Sequence, residues 1–399
     1  MAMQKRYGAA RKSRRPLKRV GDSRSRTISS AAGLKGTQKG AKVRVHNPLD
    51  SIKPEIRRIA GYVAPPQGQY RAKLNQNENP YDLPKGIKQD ILAEMQSIEW
   101  TRYPDYNPPS VRTALAKKLS LNPDQILLAG GSNVLLYMIG LATVAPGDSV
   151  LVAPPTFGLF ELIGQFYKAR LIKVDQRPDF SYDAKKIVAS AKNAKLTLLC
   201  SPNNPVGNTL PIGVLEEMLK ATSGLVLWDE AYAEFCGRTA LPLLGKYPHL
   251  LVLRTFSKAF GLAGLRLGYL IGRPELIAEF SKVNIPYNVN LFSEITALRL
   301  LNDAGWYEEG VRQIVRERDR LFNQLAAFER ITAYPSEANF ILIRVPDNRI
   351  VFESLKTRGV LLRMVNGHPL LKNCLRATVG TPDENRIFIE ALADVMKEV

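Results

Sequence analysis

The strongest constraint on this chain is an alternation in which short, largely apolar runs are separated by longer stretches with helical spacing. The runs lie at 126–129, 149–153, 171–174, 196–200, 225–228, 250–254 and 267–271. Strands that are apolar throughout, rather than at every second position, are buried on both faces. Seven of them alternating with helices make an α/β fold built on a mostly parallel seven-stranded sheet. Ile, Leu and Ala recur with helical period at 86–97 and 110–119, and residues 290–301 and 305–328 read as long helices. Further on, 340–344, 359–363 and 375–378 read as strands of a smaller α+β unit. Residues 49–84, rich in Pro, Gly, Asn and Tyr, read as an extended arm. The resulting division is a basic extension (1–46), an arm (47–85), a large domain (86–288) and a small C-terminal domain (289–399).

In an open α/β sheet, ligands sit beyond the carboxyl ends of the strands. Four of the runs end in polar segments that suit one ligand. Gly130-Gly131-Ser132-Asn133 opens a helix expected from about Val134, and its small residues let an anion approach free backbone amides. Ser201-Pro202-Asn203-Asn204-Pro205-Val206-Gly207 is a proline-framed loop that presents an amide side chain. Trp228-Asp229-Glu230-Ala231-Tyr232 places an acid at the end of a buried strand, which is costly unless the acid is paired. A protonated ring nitrogen would be a suitable partner. Ser257-Lys258-Ala259-Phe260-Gly261-Leu262-Ala263-Gly264-Leu265-Arg266 sets a lysine among apolar residues, where its amine is more readily neutral and nucleophilic. Ser257 and Arg266 flank it with groups that bind phosphate. Taken singly, these segments read as a glycine turn, a rigid loop, a salt-bridged strand-end acid and a surface lysine.

Taken in order, N-N-P-x-G, D-E-A-Y and S-K-A-F-G-L-A-G-L-R-x-G resemble the fold-type-I aminotransferases, and within them the histidinol-phosphate aminotransferase family, from about Asn47 to the C-terminus. The resemblance implies pyridoxal 5′-phosphate as cofactor, held by Lys258 as a Schiff base, with Lys258 then serving as general acid and base. It implies that Asp229 pairs with the ring nitrogen, Asn204 and Tyr232 bind the ring oxygen, and Phe157 covers the ring face. Ser132, Asn133, Ser257 and Arg266 would hold the phosphate. Tyr103 would reach the cofactor phosphate of a second subunit, which makes the protein a homodimer. Arg376 would bind a substrate carboxylate and Arg363 a substrate phosphate, with Tyr62 and Asn77 as further substrate contacts. The implied reaction moves an amino group between L-histidinol phosphate or imidazole-acetol phosphate and glutamate or 2-oxoglutarate, in histidine biosynthesis. Aromatic aminotransferases and threonine-phosphate decarboxylases share the scaffold and are the alternatives. The chain departs from the common pattern at Asn133 (usually an acid), Phe157 (usually tyrosine) and Val206 (usually threonine). These differences bear on substrate choice, not on the cofactor.

Composition excludes other classes. Of the net charge of +19, residues 1–46 hold +13, with fourteen Lys or Arg against Asp22, which leaves +6 for the rest. The basic stretch has no interleaved aromatic platform, so it reads as a solvated extension rather than a nucleic-acid module. Its Arg- and Ser-rich makeup also resembles an organelle transit peptide. Nucleic-acid binding through this tail is the reading from another class, and the intact Lys258, Asp229, Asn204 and Arg266 argue against it. Cys200, Cys236 and Cys374 are odd in number and lie in apolar segments, which suggests buried thiols and a cytoplasmic location. Three histidines without ligand spacing leave no zinc catalyst. Residues 126–147 are uncharged over a membrane-spanning length, but the central Gly-Gly-Ser-Asn breaks them into strand, turn and helix.

Overall fold

The computed structural model describes residues 47–63 and 68–399; the basic stretch 1–46 lies outside the described residues. Residues 48–51 form a 3-10 turn, and 52–399 make one compact unit. Its first strand, β1, is Ala72–Lys73. The central sheet holds β2 (Ile126–Ala129), β3 (Ser149–Val152), β4 (Arg170–Lys173), β5 (Leu196–Cys200), β6 (Leu225–Asp229), β7 (Leu250–Thr255) and β8 (Gly268–Ile271). Their order is β2-β8-β7-β6-β5-β3-β4, and β8 alone runs antiparallel to its neighbours. Nearly every residue of β2, β3, β5, β6, β7 and β8 is buried, which explains why these strands are apolar at successive positions. The edge strand β4 is exposed at both ends, so it begins on Arg170 and closes on Lys173.

The uncharged 126–147 run is β2, a turn at Gly130–Gly131 and the helix Ser132–Thr143. That helix starts two residues before the expected position. Among the described residues no helix is long and apolar enough to cross a membrane. Cys200 and Cys374 are buried, whereas Cys236, at the end of the short helix Ala233–Cys236, is only half-buried.

A second sheet holds β9 (Thr332–Tyr334), β10 (Phe340–Arg344), β12 (Arg363–Met364) and β13 (Cys374–Thr378), in the order β12-β13-β10-β9. The expected single strand at 359–363 is instead two. β11 (Val360–Leu361) pairs in parallel with β1, while β12 turns to β13 and sets Arg363 opposite Arg376. The buried Leu362 between them is the pivot between the two partners. The arm also differs from expectation: it contains the helical turn Pro54–Arg57 and the strand β1. The helix Pro382–Glu398 closes the fold, with Pro382 at its first position and a Thr381/Glu384 capping box that satisfies its first amides.

Candidate active site

The segments singled out in the sequence meet at the carboxyl ends of β5, β6 and β7 and at the start of the helix Ser132–Thr143. Asp229 ends β6 and is 5% exposed. Its carboxylate accepts from Ala231 N at 2.9 Å, and among the described residues no cation offsets its burial. Burial pushes its pKa up to about 7. Three residues beyond the neighbouring strand β7, Lys258 experiences the opposite displacement. Desolvation, reinforced by the Arg376 guanidinium, pulls its amine down to about 7, and Nζ donates to Gln76 O at 3.0 Å. An acid and a base displaced toward neutrality from opposite directions at the ends of adjacent strands mark a functional site.

The turn at Gly131 has the close backbone and arginine approach that an anion site requires. Its φ of +106° is one that side chains rarely adopt, and a Cβ there would meet Arg266 Nη2 at 2.6 Å. At Gly268 a Cβ would lie 2.4 Å from Ser132 N. Arg266 Nη1 donates to Ser257 Oγ at 3.2 Å and to Ala263 O at 3.0 Å. The helix starting at Ser132 has no side-chain cap, so the first-turn amides of Ser132 and Asn133 are available. The half-buried Phe157 packs edge-on against Phe160, with ring centroids 5.8 Å apart.

The two asparagines after β5 divide their work. Asn203 is fully buried and structural: Nδ2 donates to Pro155 O at 2.9 Å, and Oδ1 accepts from Thr156 Oγ1 at 2.7 Å. Asn204 faces the second sheet, where its Oδ1 accepts from Arg376 Nη1 at 2.5 Å. Arg376 Nη2 donates to Asn75 O at 2.9 Å, and the guanidinium lies over the Phe340 ring. Burial lowers the Arg376 pKa to about 10, and Arg363 adds like-charge repulsion. Arg363, on the neighbouring strand, is half-buried.

Tyr232 is buried, and its hydroxyl accepts from Asn77 Nδ2 at 2.9 Å. Tyr103, 83% exposed, stands at the surface with its ring stacked on Tyr287, centroids 4.8 Å apart. Tyr62 is 79% exposed but close enough to Arg376 to influence its charge.

Several participants escaped the sequence reading. The carbonyls of Asn75 and Gln76 are main-chain atoms and carry no side-chain signature. Thr378, which accepts from Asn77 N at 2.9 Å, was legible in principle because it lies two residues from Arg376 on the same face of β13. Glu230, next to Asp229, is fully buried and accepts from Arg254 Nε at 2.9 Å and Nη2 at 2.7 Å. Among the described residues no group of three or more His, Cys, Asp or Glu could hold a metal.

The arrangement fits a cofactor with three features: a protonated ring nitrogen at Asp229, an anionic arm at the Gly131 cradle and a carbonyl carbon within reach of Lys258. The family model for class I and II aminotransferases matches residues 72–392, and the chain belongs to that family. It is similar to the histidinol-phosphate aminotransferase of Chlorobium phaeovibrioides, 40% identical over 344 residues that span 86% of this chain and 96% of that one. It is likewise similar to the enzyme of the same name from Chlorobaculum tepidum, at 38% identity over 86% of this chain and 99% of that one. Among solved structures, the histidinol-phosphate aminotransferase of Sinorhizobium meliloti in complex with pyridoxal-5′-phosphate superposes with a TM-score of 0.78 at 25% identity, covering 87% of this chain and 98% of that one.

Proposed function

We propose that this aminotransferase uses pyridoxal 5′-phosphate to move an amino group between L-histidinol phosphate or imidazole-acetol phosphate and glutamate or 2-oxoglutarate, the transamination of histidine biosynthesis. The meeting of Asp229, Lys258 and the Gly131–Arg266–Ser257 turn at the strand ends supports the cofactor, and the likeness to the histidinol-phosphate aminotransferases supports the substrates. When bound, the cofactor supplies an electron-withdrawing ring that takes up the electron pair left at the substrate carbon. Asp229, once its charge is paired, keeps the ring nitrogen protonated. Asn204 and Tyr232 bind the ring oxygen, and Phe157 covers the ring face. Ser257, Arg266 and the amides of Ser132 and Asn133 hold the phosphate. Lys258 holds the cofactor covalently, and its Nζ, substantially unprotonated near neutral pH, afterwards moves the proton at the substrate carbon. Tyr103 serves the site of a second subunit, so the working form is a homodimer.

The test is absorbance-monitored reaction of purified protein with L-histidinol phosphate, threonine phosphate, phenylalanine and glutamate. The loaded protein is expected to be yellow, and borohydride should fix the cofactor on the peptide containing Lys258. An adduct on another lysine would overturn the site. Preference for phenylalanine, or carbon dioxide released from threonine phosphate, would move the substrate assignment to the aromatic aminotransferases or the decarboxylases.

Arg363 and Arg376 face one another across β12 and β13, which suits a pocket that receives first a phosphate and then a dicarboxylate. Arg363→Ala is expected to cost about 2–4 kcal/mol of transition-state binding for histidinol phosphate, roughly thirty- to several-hundred-fold in kcat/KM. Arg376→Ala should fall mainly on glutamate, because histidinol phosphate has no carboxylate to offer it. Equal losses on both substrates in both variants would remove this division.

A further inference from the structure

Asn77 is 1% exposed and sits at a φ of +53°, a left-handed conformation that few side chains tolerate. Its backbone is pinned on both sides. Asn77 N donates to Thr378 Oγ1 at 2.9 Å, and Asn77 O accepts from Asn339 Nδ2 at 3.1 Å. Its side chain is oriented too: Oδ1 faces the Thr378 hydroxyl at 3.4 Å, which leaves Nδ2 to donate to Tyr232 Oη at 2.9 Å. That last bond runs in one direction, because an amide NH₂ donates and does not accept. Asn77 therefore occupies a lone pair of the Tyr232 hydroxyl and leaves its proton for another acceptor. A hydroxyl that accepts such a bond is also a stronger donor. Arg376 and Thr378 are two residues apart on β13, so one strand face reaches Asn204 directly and Tyr232 through Asn77.

Resting on the cofactor assignment above, we propose that Asn77 is a positioning residue that makes Tyr232 an obligate donor to the cofactor's ring oxygen, coupling β13 to that oxygen through Thr378. Its effect is on charge. A donor at the ring oxygen draws negative charge from it and weakens the hold of the lysine–cofactor nitrogen on its proton. The titratable and charged groups around the Tyr232 hydroxyl are Arg376, Cys200, Asp229 and Lys258, and the variants below leave all four in place.

The experiment is a pH titration of the visible absorption band of the loaded full-length protein, in wild type, Asn77→Gly, Thr378→Val, Tyr232→Phe and the Asn77→Gly/Tyr232→Phe double variant. Glycine suits the positive φ, so that variant deletes the amide without straining the backbone. The midpoint should rise by about 0.5–1 pH unit in Asn77→Gly, the equivalent of one net hydrogen bond. Thr378→Val should shift it in the same direction. Tyr232→Phe should raise it at least as far, and the double variant no further than Tyr232→Phe alone. A wild-type midpoint in Asn77→Gly overturns the inference, as does a shift that adds in full to that of Tyr232→Phe. Should Asn77→Gly not fold, a wild-type midpoint in Thr378→Val has the same force. A wild-type protein with no visible band linked to Lys258 would sink the cofactor assignment itself, a separate outcome.

Discussion

Lys258→Ala is expected to lower turnover by at least roughly 10⁴-fold while the protein still binds its cofactor. On the proposed assignment two functions disappear together, because one amine both links the cofactor and moves the proton. The turn at Gly131, Ser257 and Arg266 is untouched by the change, so on the same assignment it should still hold the cofactor phosphate. The variant should therefore hold the cofactor noncovalently, with no adduct after borohydride, and accumulate substrate complexes that do not turn over. The unloaded protein offers a second signature. Folded Lys258 takes up its proton only below about 7, whereas an unfolded lysine does so below its ordinary value of 10.5. Wild-type protein without cofactor should thus gain stability as pH rises from about 7 to 10, and Lys258→Ala should lack that gain. Turnover within tenfold of wild type would dismiss Lys258 as the reacting lysine.

Asp229→Asn is expected to uncouple stability from function. In the unloaded protein the Asp229 carboxyl titrates at about 7 against an ordinary value of 3.8. Between those values the unfolded chain has already lost a proton that the folded chain keeps. Stability should therefore fall as pH rises from about 4 to 7, and the full cost of the buried charge persists above 7. Asparagine can still accept from Ala231 N and carries no charge, so the unloaded variant should be more stable than wild type at pH 8 by about 2–4 kcal/mol. Denaturant midpoints at pH 5 and pH 8 measure both quantities. Turnover of the loaded variant should fall about 10³-fold, because the ring nitrogen loses the counter-charge that keeps it protonated. A variant no more stable than wild type at pH 8, with near-normal single-turnover rates, would make Asp229 a structural strand-end acid.

How legible these features were in the sequence follows from what each residue touches. β5, β6 and β7 were readable because both faces are buried, so apolar residues fill successive positions in runs too short for a helix. Asp229 stood out because a charge closing a buried strand needs a partner, and Lys258 because it sits among apolar residues just beyond one. The three-residue strand β9 was not readable, since its half-exposed residues leave no pattern. Neither was the split between β11 and β12, which depends on β1 docking from nearly three hundred residues upstream. Asn77 was expected from the resemblance as a substrate contact, whereas its bond to Tyr232 spans 155 positions that no local pattern encodes. The grip of Gln76 O on Lys258 belongs to the peptide chain itself and would be the same for many side chains at that position.

The resting partners of Arg376 are both neutral oxygens, the Asn75 carbonyl and the Asn204 amide. If this arginine receives the substrate carboxylate, entry is an exchange of acceptors rather than the filling of a gap. An anionic carboxylate makes charge-assisted bonds about twice as strong as those it displaces, so the exchange runs forward. An ester or amide of the same shape replaces one neutral oxygen with another and gains nothing for the ordering it demands. On that assignment, rejection of neutral analogues of the carboxylate is built into the unliganded protein, before any part of the pocket has to move.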